Sequence, residues 1–304
     1  MLNKPLFCRT SYLTIALLLL ISPLCRAHNI HSKPTLDRIA ETKTITLGYQ
    51  DDAFPFSYVE SQNPAGYTID ICNKIVDALK VKLKIKDLKV RWIKSSTASQ
   101  FVLIKNHATD MMCIPAFYSE ARHQQAEFTL PFFFSSTRFI TRKNNDTDTI
   151  EDLAGHSVLV KSGTIYVEQL HQLNKVNDLN LNIELENNNN AAFQSVESGE
   201  LPALISSYVL LKGMMSLSPD PEQFEISDEV FSQPIPAGLL LPLNDNEFKN
   251  FIDDTMKSIL VSKDFNNLYQ HWFMSPIPPK AINLNIPMST ALKALIASTS
   301  SNAN

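Results

Sequence analysis

The sequence predicts an α/β protein of two lobes around a cleft. Three observations carry this. Short strand-like runs alternate with helical ones along the chain, a pattern that favours mainly parallel sheets. The alternation comes in two sets, one before Phe132 and one from Ser157 to Ile205. Two long β-type runs, Phe132-Phe-Phe-Ser-Ser-Thr-Arg-Phe-Ile-Thr141 and Ile235-Pro-Ala-Gly-Leu-Leu-Leu-Pro242, join the sets as extended crossings. Such sheets place ligands outside the carboxyl ends of their strands. The loops around Phe54, Arg122 and Thr164 all follow predicted strands, so they are expected to meet.

Thr44-Ile-Thr-Leu-Gly48 alternates as a short strand. The stretch from Tyr67 to Leu83 reads as a helix, with Ile71, Ile75 and Leu79 four apart and Cys72 and Val76 beside them on one face. Leu88-Lys-Val-Arg-Trp-Ile93 alternates again. A helix through Phe101 to Lys105 follows, then a strand ending at Cys113. The first long run is longer than the mean strand, and the polar stretch Asn144-Asn-Asp-Thr-Asp148 follows it. The second set comprises a strand Ser157-Val-Leu-Val160, a helix from Thr164, a strand near Leu181, a helix through Phe193 and a strand Pro202-Ala-Leu-Ile205. Asn187-Asn-Asn-Asn190 reads as a turn and helix cap. The last large helix carries Phe248, Phe251, Ile252, Ile259 and Leu260 on one stripe, with Asn244 or Asp245 as its cap. The chain has only seven glycines. Gly163 therefore stands out as a turn residue that lets backbone amides approach an anion.

Residues 1–27 read as a cleavable signal peptide. Lys4 and Arg9 form a basic start, Leu13-Thr-Ile-Ala-Leu-Leu-Leu-Leu-Ile21 is apolar, and Cys25-Arg-Ala27 offers small residues for cleavage. A membrane anchor is the alternative, but the apolar run is short for a span. A lipoprotein site at Cys25 would need a small residue where Leu24 stands. The mature chain would begin near His28 in the periplasm. Loss of Lys4, Arg9 and Arg26 takes the formal net charge from −4 to −7, which argues against a nucleic-acid partner. Cys8 and Cys25 leave with the leader. Cys72 and Cys113 remain and permit one disulfide in an oxidising compartment, the alternative being two buried thiols.

The run Ala108-Thr-Asp-Met-Met-Cys-Ile-Pro-Ala-Phe-Tyr-Ser-Glu-Ala-Arg-His-Gln-Gln125 carries the clearest chemistry. It reads as a strand, a loop and a helix opening near Ser119, with Arg122 in the first turn. Free N–H groups at a helix start attract an anion, and an arginine adds a planar fork that fits a carboxylate. An ordinary strand–helix turn with a solvated arginine is the plain alternative. No nucleophile–base arrangement stands out among the seven histidines. Cys and His spacing does not suit zinc, and no Walker phosphate loop occurs. The expectation is no cofactor, no metal and no catalysis.

Several segments in this order resemble the periplasmic glutamate/aspartate-binding proteins of bacterial ABC importers, within the family 3 extracellular solute-binding proteins. Thr35-Leu-Asp-Arg-Ile-Ala40 is similar to their opening helix, Phe54-Pro-Phe-Ser-Tyr58 to the first pocket loop, and Gly66-Tyr-Thr-Ile-Asp70 to the start of the next helix. Ser162-Gly-Thr164 resembles the second-lobe anion loop, and Trp272-Phe…Pro276-Ile-Pro-Pro-Lys280 the C-terminal end. The likeness runs from about Thr35 to about Leu295. It implies a type II periplasmic-binding-protein fold, with lobe 1 from residues 28–135 plus 234–304 and lobe 2 from 136–233. It also implies a monomer that captures an amino acid or small carboxylate and docks an inner-membrane ABC permease or a receptor.

By that resemblance Arg122 holds the ligand's α-carboxylate, Ser162, Gly163 and Thr164 assist it, and Phe56 packs on the ligand unless it is plain core. The chain departs from the family elsewhere. Cys113-Ile-Pro-Ala-Phe117 replaces a hydroxyl-rich loop, and Phe117 and Tyr118 replace small polar residues. The acid that holds the ammonium aligns with Ser207. The basic partners of a side-chain carboxylate align with the neutral Gln50, Gln100 and Asn189. A buried carboxylate without a cation or several donors is costly. The expected ligand is therefore a monocarboxylate with a neutral, partly apolar body near Phe56, Phe117 or Tyr118. Two other functions are open on sequence: a dehydratase-like enzyme acting on a cyclic carboxylate, with Glu120 or His123 as acid, and a ligand sensor for a membrane receptor.

Overall fold

The computed structural model describes residues 33–145 and 147–301. The predicted leader lies outside the described residues. Helix α1 (Thr35–Thr42) leads to β1 (Thr44–Tyr49). Strands β2 (Asp52–Ala53), β3 (Ser57–Glu60) and β4 (Asn63–Ala65) form a small antiparallel sheet that the periodicity did not disclose. Then come α2 (Tyr67–Leu83), β5 (Lys89–Lys94), α3 (Gln100–Lys105), β6 (Met111–Phe117), the one-turn α4 (Glu120–His123), β7 (Glu127–Phe128) and β8 (Phe133–Ser135).

The second set holds β9 (Thr137–Arg142), β10 (Ser157–Lys161), α5 (Ile165–Val176), β11 (Asn182–Glu186), α6 (Asn189–Glu197), β12 (Ala203–Ser207), α7 (Tyr208–Leu217) and β13 (Phe224–Ile226). The chain returns through β14 (Ile235–Leu241) and ends in α8 (Asn246–Leu260), α9 (Lys263–Met274) and α10 (Thr290–Ser301). Two of the expected caps form: Asp245 accepts from Phe248 N at the start of α8, and Asn188 accepts from Asn190 N and Ala191 N at the start of α6.

Two sheets result. One runs β5-β1-β6-β14-β7 with β8 on β14, and the other runs β11-β10-β12-β9-β13. Each has a parallel centre, β1 with β5 and β6 in the first and β10 with β11 and β12 in the second. Each also takes in crossing strands antiparallel, so the sheets are mixed rather than mainly parallel. The first long β run divides at Ser136: β8 pairs with β14, while β9 joins the second sheet. The two crossings lie side by side. Ile235 faces Ser135 in register, Phe231 N donates to Thr137 O, and Thr137 N donates to Ser232 Oγ. Two paired strands between two sheets form a hinge, because bending there breaks no sheet.

Packing explains several local choices. Phe56, Tyr67, Phe132, Phe133, Tyr269 and Phe273 form one buried aromatic cluster, with neighbouring ring centroids such as Tyr269 and Phe273 at 4.6 Å. Arg38 on α1 pairs with buried Asp110 just before β6, and Asp110 Oδ2 also accepts from Thr46 N at 2.7 Å. Gly213 lets α7 of the second set lie against the β2–β3 loop of the first. A Cβ there would stand 2.5 Å from Phe54 O.

Cys72 on α2 and Cys113 on β6 are bridged, with Cα atoms 6.1 Å apart. Thr68, one turn earlier on α2, places its hydroxyl 2.7 Å from Phe56 O and 2.8 Å from Cys113 O. The bond thus fixes the strand that leads directly into the cleft. It spans 41 residues of sequence, for which loop-closure entropy gives about 4 kcal/mol. The Cys72→Ala/Cys113→Ala protein should lose up to that much in urea unfolding. Denatured, unreduced mature protein should show no free thiol; two titratable thiols would refute the bridge.

Candidate ligand-binding cleft

The cleft is built where the two sets face each other. From the first come Gln50 and Ala53 after β1, Thr97 and Gln100 before and on α3, and the end of β6 from Ile114 to Phe117. Pro115 lacks an N–H and falls opposite the register shift between Gly238 and Leu240 of β14, where a missing donor is tolerated. From the second set come Lys161, Thr164, Tyr166, Asn189, Ser206 and Leu210. The partly open cavity measures about 40 Å³, room for about three water-sized centres at 10–15 Å³ each. In this closed form the space suits a small ligand, and a larger one requires the lobes to stand further apart.

Arg122 is the central group. Ser119 caps α4 through the Arg122 amide, but α4 holds four residues. One turn sums few peptide dipoles, so the positive charge rests on the guanidinium and not on a helix end. The side chain is 9% exposed and lines the cavity. Nη1 donates to Phe117 O at 3.0 Å and Nη2 to Gly163 O at 2.7 Å, with the guanidinium carbon 5.5 Å from the centre of the Phe101 ring. Among the described residues its partners are two carbonyls and a ring, none of them a carboxylate. Burial pushes its pKa below the ordinary arginine value, while Tyr166 acts in the opposite sense. A buried cation without a counter-charge is an unfavourable state that an incoming carboxylate relieves.

Gly163 has a φ of +71°, in the left-handed region that favours glycine. Its carbonyl accepts from Arg122. Thr164 caps the approach to α5, donates to Lys161 O at 2.6 Å and lines the cavity. Ser162 gives its amide to Glu186 O at the rim and does not line it.

The other expected residues divide. Gln50, Gln100, Asn189 and Phe117 line the cavity together with Arg122. Gln50 Nε2 stands 3.5 Å from Thr97 Oγ1. Phe56 does not line the cavity: its ring is fully buried in the aromatic cluster, 5.1 Å from Phe133. Tyr118 is 36% exposed and donates to Glu120 outside the cleft. Ser207 is buried at the N-cap of α7, and Ser206 takes the lining position instead, because successive strand residues point to opposite faces. Glu120 and His123 are also absent from the lining.

Several cleft residues escaped the sequence reading. Tyr166 and Ser206 line the cavity with buried hydroxyls that have no hydrogen-bond partner, and the Ser207 hydroxyl is likewise unpaired. Burial raises the Tyr166 pKa, and nearby Ser207 and Arg122 oppose the rise without completing a hydrogen bond of normal geometry. Lys161, at the end of β10, is 3% exposed and pairs with Asp52 Oδ2 at 2.6 Å. The signal for Lys161 was present: a lysine closing an apolar strand just before the Ser162-Gly-Thr164 turn. Among the described residues, no cluster of three His, Cys, Asp or Glu could hold a metal ion.

Two α/β lobes, a paired-strand hinge and a buried arginine facing an interlobe cavity define a solute-binding protein. The pattern of bacterial extracellular solute-binding proteins, family 3, matches residues 45–275, and the chain belongs to that family. It is 34% identical over 266 residues to the L-glutamate/L-aspartate-binding protein of Pseudomonas aeruginosa, covering 87% of this chain and 88% of that one. It is also 34% identical over 262 residues to the glutamate/aspartate import solute-binding protein of Salmonella typhimurium, covering 86% of each. Among solved structures, the cysteine-binding protein from Campylobacter jejuni superposes with a TM-score of 0.68 at 20% identity, over 79% of this chain and 93% of that one. The ancestral amino acid-binding protein AncCDT-1, a precursor of cyclohexadienyl dehydratase, gives 0.67 at 20% identity, over 79% and 99%. These likenesses place the fold among type II two-lobed binding proteins.

If Arg122 anchors the ligand, Arg122→Ala should weaken binding by the roughly 2–5 kcal/mol of a truncated buried charge pair. Calorimetry with the best ligand of a carboxylate screen measures this. Unchanged affinity would remove Arg122 from the site.

Proposed function

We propose that this chain is the solute-binding component of an amino-acid ABC importer and captures a small neutral amino acid or related monocarboxylate in the periplasm. The supporting observation is the charge arrangement of the cleft. Arg122 faces the cavity without a carboxylate partner, whereas the second cation, Lys161, is already paired with Asp52. One uncompensated positive charge suits one carboxylate. The partnerless hydroxyls of Tyr166 and Ser206 offer acceptors for an ammonium. Ile114, Ala116, Phe117, Ile165 and Leu210 offer an apolar remainder. The lobes divide at 135/136 and 233/234, and the protein acts as a monomer that closes by hinge motion before it docks an inner-membrane permease. The leader, residues 1–27, directs it there.

A dehydratase-like role is disfavoured by the lining. Removing a hydroxyl needs a proton donor in the cleft, and of the lining residues that could act Lys161 is committed to Asp52 while burial raises the Tyr166 pKa. The curated relatives are named as binding proteins. A receptor-coupled sensor would use the same cleft, and a permease and ATPase encoded beside this gene would favour the importer.

The ligand class departs from the names of those relatives. At Gln50, Gln100 and Asn189 a second carboxylate would find neutral amides. Each missing charged hydrogen bond forfeits about 1.5–3 kcal/mol. Losing two weakens binding at least about a hundredfold. A calorimetric screen of the mature protein should therefore find neutral amino acids or monocarboxylates binding well ahead of glutamate and aspartate. Submicromolar glutamate or aspartate binding would overturn this ligand class, and silence across all amino acids and carboxylates would overturn the capture function.

A further inference from the structure

Asp52 crosses the cleft. It lies on β2 of the first lobe, yet its partners belong to the second. Oδ2 accepts from Lys161 Nζ at 2.6 Å and from the Asn189 amide at 2.8 Å, while Asn189 Nδ2 donates to the Asp52 carbonyl at 2.8 Å. Asp52, Lys161 and Asn189 are all buried. Asn189 is the first residue of the nine-residue α6, so its free amide and the helix dipole add to the lysine charge. A buried ammonium and a helix-start amide converging on one oxygen constitute a carboxylate-binding position. The occupant is the chain's own side chain.

The position also sits at the end of the ligand cavity. Lys161 and Asn189 line that cavity. Lys161 and Asp52 also line an outer pocket of about 400 Å³ bounded by Lys94, Ser96 and Asn188. The Asp52–Lys161 pair therefore forms a wall between the two. A ligand held at Arg122 that reached this wall with a second carboxylate would meet a lysine already neutralised.

We propose that Lys161 and the Asn189 amide form a second carboxylate position that Asp52 fills from the opposite lobe, making Asp52 a specificity determinant that excludes dicarboxylate ligands. The specificity part rests on the reading that the cleft takes its ligand at Arg122. The carboxylate position itself does not. Removing Asp52 alone leaves a buried, uncompensated ammonium, which creates a demand for an external carboxylate. Removing Lys161 as well abolishes that demand.

The test uses the mature wild-type protein, Asp52→Ala, Asp52→Ser and Asp52→Ala/Lys161→Met. In the first arm, melting temperatures are compared in sodium acetate and sodium chloride at equal ionic strength. Acetate should raise the melting temperature of Asp52→Ala or Asp52→Ser by several degrees more than chloride does, with no such difference in the wild type or the double variant. An equal response in all four would overturn the carboxylate position. Should both single variants fail to fold, recovery of folding in the double variant supports the buried-charge argument, and failure of the double variant too overturns it. In the second arm, calorimetry compares L-glutamate with L-glutamine. The glutamate-to-glutamine affinity ratio should rise at least tenfold in the single Asp52 variants and fall back in the double variant. An unchanged ratio in variants that still bind glutamine overturns the specificity role. Absence of amino-acid binding in every protein, alongside an intact acetate effect, counts against the capture function and leaves the carboxylate position supported.

Discussion

The cleft depends on one buried guanidinium. Arg122 is held from the first lobe by Phe117 O and from the second by Gly163 O, so its geometry exists only when the lobes are together. A guanidinium has five donors in a fixed fork, and two backbone carbonyls do not match the charge that burial has stripped of water. Conformation and electrostatics are thereby linked. With the lobes together Arg122 is buried, and a carboxylate in the cavity would offset the cost of that burial. A ligand that relieves a charge only in the closed form binds that form more tightly, and differential affinity of this kind is what shifts a two-state equilibrium.

Asp52 and Lys161 apply the same logic without a ligand. Their ion pair also spans the lobes and is also buried, but both charges come from the chain. It carries no net charge into the cleft, so it positions the lobes without calling for a second anion. The desolvation of two charges can exceed their attraction, and here the Asn189 backbone amide adds a further hydrogen bond to the carboxylate while its side chain ties down the Asp52 carbonyl. One cation left open and one internally matched is the arrangement on which the proposed singly charged ligand rests.

Much of this was legible in the sequence, and the omissions have physical causes. Helix α2 fell where periodicity placed it, from Tyr67 to Leu83, because a four-residue spacing of Ile71, Ile75 and Leu79 is hard to satisfy as a strand. The Cys72–Cys113 pairing was open from composition and is settled by two elements that lie against each other. The mixed character of the sheets was not legible, since strand direction depends on which partner a crossing finds. Phe56 was ambiguous because an aromatic residue in a pocket loop and one in a core carry the same local signal. The cluster around Phe133 and Tyr67 decided it. Ser207 and Ser206 show the sensitivity of strand residues to a one-position slip. Lys161 was overlooked because a lysine at a strand end reads as a solvated terminus until its partner Asp52, 109 residues away, is in place.

The amides and the ion pair are better understood together. Gln50, Gln100 and Asn189 place neutral amides around the cavity, while Lys161 adds a cation and Asp52 cancels it. Had Lys161 arisen without Asp52, the closed cleft would hold two unmatched buried cations, a costly combination in the absence of ligand. Had Asp52 arisen alone, its carboxylate would point across the cleft at the Asn189 amide with no ammonium beside it. The pair is tolerable only as a pair, and its two members come from opposite lobes, 109 residues apart in sequence. Its effect on ligand choice is therefore inseparable from closure. Parting the lobes would separate Asp52 from Lys161 and return both to water. When they close, each is the other's nearest counter-charge, and the far end of the cavity is neutral before any ligand reaches it.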